Sequence, residues 1–203
     1  PLECSHLYLA IEGKLAAVIC VEDPLREEAA DAVRELKEAG ITKVVMMTGD
    51  SERTAAAIAK RVGVDEYYSE VLPEDKASFV EKEKELGHKV IMIGDGINDS
   101  LALSSASVGI AISDGAAIAR EIADVTISAD NLHEIVTLKR LSTALMKRIH
   151  NNYRTIIGIN GGLIALGVTG IIMPTTSALL HNMSTLTISL RSMRNLLPKE
   201  EEA

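Results

Sequence analysis

Apolar residues along this chain fall into short unbroken runs separated by stretches of helical period. Val44–Met47, Val90–Ile93, Val108–Ile112 and Val125–Ile127 are brief and aliphatic. Runs of this kind suit strands buried on both faces of a parallel sheet. Between them the period lengthens. Leu25–Ala39 carries Leu25, Ala29, Ala32, Val33 and Leu36 on one stripe with Arg and Glu opposite, and Gly40 stops it. An alanine-rich helix is expected over Glu52–Val62, closed by Gly63, and a short strand over Tyr67–Val71. Pro73-Glu74-Asp75-Lys76 opens a helix reaching about Leu86, and two shorter helices are expected over Leu101–Ser107 and Ala116–Ala123. Ahead of all these, Leu7–Ile11 and Leu15–Val21 flank Glu12-Gly13-Lys14, a hairpin signal. Strands alternating with helices imply βαβ units, right-handed crossovers and a parallel sheet, hence an α/β domain spanning residues 1–130.

After residue 130 the pattern changes. Asn131–Asn152 reads as one long helix, and from Thr155 to Leu190 there is no Lys, Arg, Asp or Glu. Thr155–Met173, at ~19 residues, matches the ~30 Å hydrocarbon layer, Pro174 interrupts it, and Thr175–Leu190 forms a second, more polar segment. Gly158, Gly161, Gly162, Gly167 and Gly170 would weaken a helix in water but let membrane helices approach closely. Basic residues flank both outer ends and none lies between the segments, so both ends are expected in the cytoplasm. The expected division is a helix over 131–154, a transmembrane hairpin over 155–197 and a cytoplasmic tail over 198–203. A buried helical hairpin in a water-soluble protein is the competing reading.

Composition narrows this picture. The formal net charge of −8 argues against nucleic acid as a partner, since neutralising phosphates needs clustered Lys and Arg. The two cysteines, Cys4 and Cys20, are too few for a disulfide framework or a four-ligand zinc site. Cys4 and His6 could offer two metal ligands but read better as ordinary strand residues. The chain begins at Pro1 with neither a start methionine nor a signal peptide, and a piece of a longer protein is expected.

Candidate chemistry gathers where strands end. Thr48-Gly49-Asp50 follows one strand, Gly94-Asp95-Gly96-Ile97-Asn98-Asp99 follows another, and Lys76 starts the helix between. Open α/β sheets place ligands at that carboxyl edge. A hydroxyl with backbone N–H groups can hold phosphate oxygens, an ammonium neutralises them, and Asp95 and Asp99 are candidate ligands of a Mg²⁺ bridging to phosphate. Together they describe phosphoryl transfer driven by positioning and electrostatics. Any one alone would be an ordinary turn, cap or surface charge.

MTGDS, LPEDK and GDGINDSLAL, in that order and spacing, resemble the second to fourth motifs of the haloacid-dehalogenase superfamily in the form used by P-type ATPases. IEGKLAAVICVEDPLREEAADAVRELKEAGI is similar to the segment returning from those pumps' nucleotide-binding insertion, and residues 151–196, NNYRTIIGINGGLIALGVTGIIMPTTSALLHNMSTLTISLRSMRNL, resemble the final two membrane helices of the heavy-metal-transporting subgroup. The resemblance implies a haloacid-dehalogenase-like Rossmannoid phosphorylation domain, followed by an all-α stalk and a transmembrane hairpin. It also implies that Thr48 and Lys76 bind the phosphoryl group, Gly49 and Asp50 complete that loop, Asp95 ligates Mg²⁺, and Asn98 and Asp99 order the metal and its water. ATP would be the substrate of the full-length pump, a transition-metal cation its cargo, and the cell membrane its location. Partners would be the lipid bilayer and the pump's N-terminal part, with its actuator domain, nucleotide-binding domain and other membrane helices.

Two departures stand out. Ser100-Leu101 replaces the family's usual Ala-Pro, and the DKTGT segment carrying the phosphorylated aspartate does not occur here. Asp23 in VEDPLRE lacks the following Thr-Gly-Thr. This chain alone is therefore not expected to phosphorylate itself or pump. Asn160, Met183 and Ser184 are candidates for the transported ion, because polar groups in a membrane helix are costly unless partnered. Met183 would suit Cu(I), and the Asn and Ser oxygens harder ions, so the ion stays open. Alternatives are a soluble phosphatase of the same superfamily, whose DxDx(T/V) nucleophile motif is absent, and a non-catalytic pump remnant.

Overall fold

The computed structural model describes residues 5–21, 25–94, 98–112, 121–127 and 131–196. Two compact units divide the chain, Pro1–Val136 and Thr137–Ala203.

The first unit opens with an antiparallel hairpin, β1 (Ser5–Ile11) and β2 (Lys14–Val21). Glu12 (φ 51°) and Gly13 (φ 75°) both take positive φ in its two-residue turn, the backbone that matches the right-handed twist of paired strands. Cys20, on β2, is disulfide-bonded; Cys4 lies outside the described residues. Helix α1 (Ala29–Glu38) starts later than the apolar stripe suggested. An i→i+3 bond from Ala29 N to Arg26 O makes a tight turn of the residues before it.

Then come β3 (Val45–Met47), α2 (Glu52–Val62), β4 (Glu66–Tyr68), α3 (Pro73–Glu85), β5 (Ile91–Gly94), α4 (Ser100–Ser105), β6 (Val108–Ile112) and β7 (Val125–Ile127). Gly63, at φ 78°, ends α2 in the left-handed cap anticipated for it. β4 is shorter than the expected Tyr67–Val71, because Glu70 turns to φ 53°. The helix expected over Ala116–Ala123 falls largely outside the described residues.

β3 pairs with β4, and β5 with β6 and β6 with β7, all parallel. Among the described residues these form separate sheets, β3-β4 and β5-β6-β7. Their interiors still meet: Met47 of β3 and Val90, Ala106 and Ile122 pack against a buried cluster of Ala77, Val80, Met92, Ala102 and Leu103. Helix α4 lies close on β6, since a Cβ at Gly109 would stand 2.6 Å from the Leu103 carbonyl oxygen. This core is aliphatic and alanine-rich, as a chain with one Phe and no Trp requires.

The second unit is an αα-hairpin of α5 (His133–Val168), whose first turn packs in unit one, and α6 (Pro174–Ser192). The helix expected over Asn131–Asn152 and the charge-free segment it runs into, Thr155–Met173, are one continuous helix, and it stops short of Met173. Gly170 at φ 73° and a bond from Ile171 N to Leu166 O close it. The apolar stretch from Thr155 thus supplies about 14 helical residues, ~21 Å of rise against a ~30 Å hydrocarbon layer. α6 has the length but carries His181, Asn182 and a series of Ser and Thr. Among the described residues no helix is long and apolar enough to cross a membrane.

Candidate functional site

Thr48 follows β3 directly and is fixed by its backbone. Its N–H donates to Tyr68 O and its carbonyl accepts from Val71 N, both at 3.0 Å. Asp50 O accepts from Glu70 N at 2.9 Å, so the 48–50 turn is bound to the loop after β4. The Thr48 hydroxyl donates to Asp50 Oδ2 at 2.7 Å and accepts from Asp50 N at 3.1 Å. The side chain is thereby held in one orientation at the strand tip. Gly49 is exposed. Ser51, the N-cap of α2, makes no side-chain cap, so first-turn amides of that helix have no side-chain acceptor from it.

Lys76 and Asp99 form the second constellation. Pro73 starts α3, Asp75 Oδ2 accepts from Leu72 N at 3.3 Å, and Lys76 follows in the first turn. Lys76 Nζ donates to Asp99 Oδ1 at 2.7 Å. The two side chains keep only 16% and 12% of their surface, so this is a largely desolvated ion pair. Asp99 is also the residue preceding α4, whose Leu103 N–H bonds its carbonyl at 2.8 Å. Its carboxylate does not cap that helix. It turns back against Gly94 instead, where an added Cβ would lie 2.5 Å from Asp99 Oδ2. Glycine at the end of β5 is therefore what admits the carboxylate.

The structure thus pairs Thr48 with Asp50 and Lys76 with Asp99. Met47 and Ala77, next to Thr48 and Lys76 along the chain, share one apolar cluster with Met92 of β5. Asn98 is exposed, and Asp95 lies outside the described residues. Among the described residues no group of three or more His, Cys, Asp or Glu could hold a metal ion. Mg²⁺ itself asks for only one or two carboxylates beside water and phosphate. Asp99, with Oδ1 given to Lys76, fits better as a residue that orients such a site than as its sole anchor.

In the second unit, His181 Nδ1 lies 2.9 Å from Asn160 Oδ1, joining α5 to α6. Ser184 Oγ donates to His181 O at 2.8 Å, and Met183 is 58% exposed. The sequence already marks His181 as the one titratable side chain in the run from Thr155 to Leu190.

The description "haloacid dehalogenase-like hydrolase" fits residues 4–107, just over half of the chain. The chain belongs to that family. Among its relatives, the zinc-exporting P-type ATPase of Mycobacterium marinum is 37% identical over 189 residues, covering 93% of this chain and 26% of that protein. Copper-transporting ATPase 2 of Rhizobium meliloti is 44% identical over 176 residues, covering 87% and 21%. A crystal structure of a zinc-transporting PIB-type ATPase in the E2.Pi state matches with a TM-score of 0.84 at 30% identity, over 97% of this chain and 32% of that one. The chain spans about a quarter of the length of the curated relatives it matches.

Proposed function

We propose that this chain is the C-terminal part of an ATP-driven transition-metal exporter of the P type, working through an aspartyl-phosphate whose nucleophile lies outside these residues. The observation that carries the reading is the Lys76–Asp99 pair held against Gly94, in a fold whose relatives are metal-transporting P-type ATPases. An ammonium anchored by a carboxylate at one strand tip and a hydroxyl fixed at another are groups that suit a phosphoryl group, whose transfer depends on charge placement more than on covalent help.

In this reading Thr48, Gly49, Asp50 and Lys76 hold the phosphoryl oxygens. Asp95 binds Mg²⁺, which supplies charge neutralisation and orients the phosphoryl group, and Asn98 and Asp99 order that metal. β3 and β5 each end a separate sheet among the described residues. We assign the strand bearing the nucleophile to the space between their open edges. ATP binding and the actuator step fall to the remaining three quarters of the pump.

The α5–α6 hairpin is assigned to the membrane, in the cell membrane with both outer ends cytoplasmic. Support comes from the charge-free run of Thr155–Leu190 and from a structural match to a transporter that takes in 97% of the chain. Residues 169–173, between the two helices, would lie near the far surface. Asn160, Met183 and Ser184, with His181 bonded to Asn160, are the side chains proposed to meet the cation.

The test is the full-length pump with radiolabelled ATP and Mg²⁺. An acid-stable phosphoenzyme should form, and Asp95→Ala should abolish turnover. Normal turnover in that variant would overturn the Mg²⁺ assignment. Absence of an acid-stable phosphoenzyme under Zn²⁺, Cu(I), Mn²⁺ and Co²⁺ alike would overturn the pump itself.

A further inference from the structure

At the open end of the α5–α6 hairpin, opposite the Gly170 turn, lies a cavity of about 310 Å³ lined by Lys147, Arg148, Arg191 and Arg194 together with Asn151 and Asn152. Four cations meet there, and among the described residues of the hairpin no Asp or Glu follows Glu134. In a chain of net charge −8 that is a marked local reversal.

The four are not equivalent. The Arg148 guanidinium donates to the carbonyls of Ser192 (2.9 Å), Arg194 and Asn195 (3.1 Å), closing the C-terminal end of α6. Asn152 Nδ2 donates to Ser192 Oγ at 2.7 Å beside it. These bonds satisfy helix-end carbonyls and hold the walls of the cavity in place. Carbonyls carry no net charge, so these bonds leave the Arg148 cation unneutralised. Lys147, Arg191 and Arg194 add theirs around the same opening.

A site with several converging guanidinium and ammonium donors and no acid selects an anion rich in oxygen acceptors, with phosphate the best geometric match. Surroundings decide the source of that phosphate. Ile149 (48% exposed), Tyr153 (63%), Leu190 (59%) and Met193 (80%), each next in sequence to a residue lining the cavity, leave apolar surface open in this chain. An amphiphile with an anionic head and hydrocarbon tails satisfies both features, whereas a free phosphate satisfies one.

The geometry points to a binding site for the phosphate headgroup of an anionic phospholipid at the cytoplasmic end of this hairpin. It rests on the membrane assignment made above and adds a lipid class and named residues to it. Basic pockets between membrane helices on the cytoplasmic side bind acidic headgroups in this way.

The full-length pump should be placed in bilayers of phosphatidylcholine with and without phosphatidylglycerol. Vesicle flotation reports insertion, and native mass spectrometry of the extracted protein reports retained lipid. Wild-type protein should retain phosphatidylglycerol in preference to phosphatidylcholine. The Lys147→Gln, Arg191→Gln, Arg194→Gln variant, which keeps Arg148 to preserve the helix end, should lose at least about tenfold of that preference. Lys139→Gln with Arg140→Gln, basic residues outside the cavity, should leave it unchanged. Equal loss in both variants, or no preference in the wild type despite flotation, overturns the headgroup site while sparing the membrane assignment. Displacement of the retained lipid by inorganic phosphate alone overturns the lipid source. Failure to float with either composition overturns the membrane assignment and the lipid site with it.

Discussion

Lys76 and Asp99 show how a single pair can tie structure to chemistry. Removing one partner of a desolvated ion pair leaves the other charge buried without compensation, while replacing both can come close to neutral. Lys76→Met and Asp99→Leu are each expected to cost roughly 2–4 kcal/mol, and the double variant should cost clearly less than their sum. Urea unfolding of the three proteins gives the coupling energy directly. A strictly additive result would show that the two groups do not depend on one another, despite their 2.7 Å contact. The sequence placed both residues at the ligand edge but could not show that they bond each other. They stand 23 positions apart on different elements, a separation that periodicity does not encode. Asp99 could equally have capped α4; instead its carboxylate turns to Lys76, in space that the missing Cβ of Gly94 leaves open.

Between elements, short polar ties do what the small core leaves undone. Glu52, in the first turn of α2, accepts from Ser69 Oγ at 2.5 Å and Tyr67 OH at 2.8 Å, fastening that helix to β4 and the loop after it. The Ser69 bond first, and the Tyr67 bond second, hold the Glu52 carboxyl below its ordinary value of 4.5. Asp65 is lowered too, chiefly by the Lys37 ammonium and then by Val44 N–H. A carboxylate whose folded pKa lies below its unfolded one stabilises the fold above the unfolded value and loses that contribution as pH falls through the folded one. Ser69→Ala with Tyr67→Phe should therefore unfold more readily than wild type near neutral pH, and the gap should close as pH falls below about 4.5. Thermal unfolding across that range checks the sign, and a gap independent of pH would remove the charge from the account. At this scale much was legible beforehand. α2 and its Gly63 cap, the parallel pairing and the hairpin turn all follow from local pattern and glycine placement. The end of α5 was not, because the apolar run continues to Met173 while Gly170 turns the backbone before it. His181 and Asn160 meet only because two antiparallel helices bring positions 21 apart together.

At the scale of the molecule, the β1–β2 hairpin is the element that the rest of the described chain least explains. Its register puts Leu7 opposite Ile19 and Leu9 opposite Ala17 on one face, with Tyr8 opposite Val18 on the other. Both faces are open: Leu7 is 61% exposed, Tyr8 67% and Ile19 48%. A lone two-stranded hairpin is at best marginally stable in water, and apolar residues on both its faces ask for cover. Further strands and a packed layer in a longer protein would provide that cover, consistent with relatives about four times the length of this chain. The expectation can be measured as amide hydrogen exchange. In this chain alone, residues 5–21 should exchange close to the unprotected rate while β5 and β6 remain protected, since β6 carries the buried Ile110 and Ala111. In the full-length protein the hairpin should slow by about 100-fold or more, a local stabilisation of ~2.7 kcal/mol. Slow exchange in the isolated chain that vanishes on dilution would instead show the hairpin pairing with a second copy of itself. Slow exchange independent of concentration would mean that its own cross-strand contacts suffice, and the case for a covering sheet would fall.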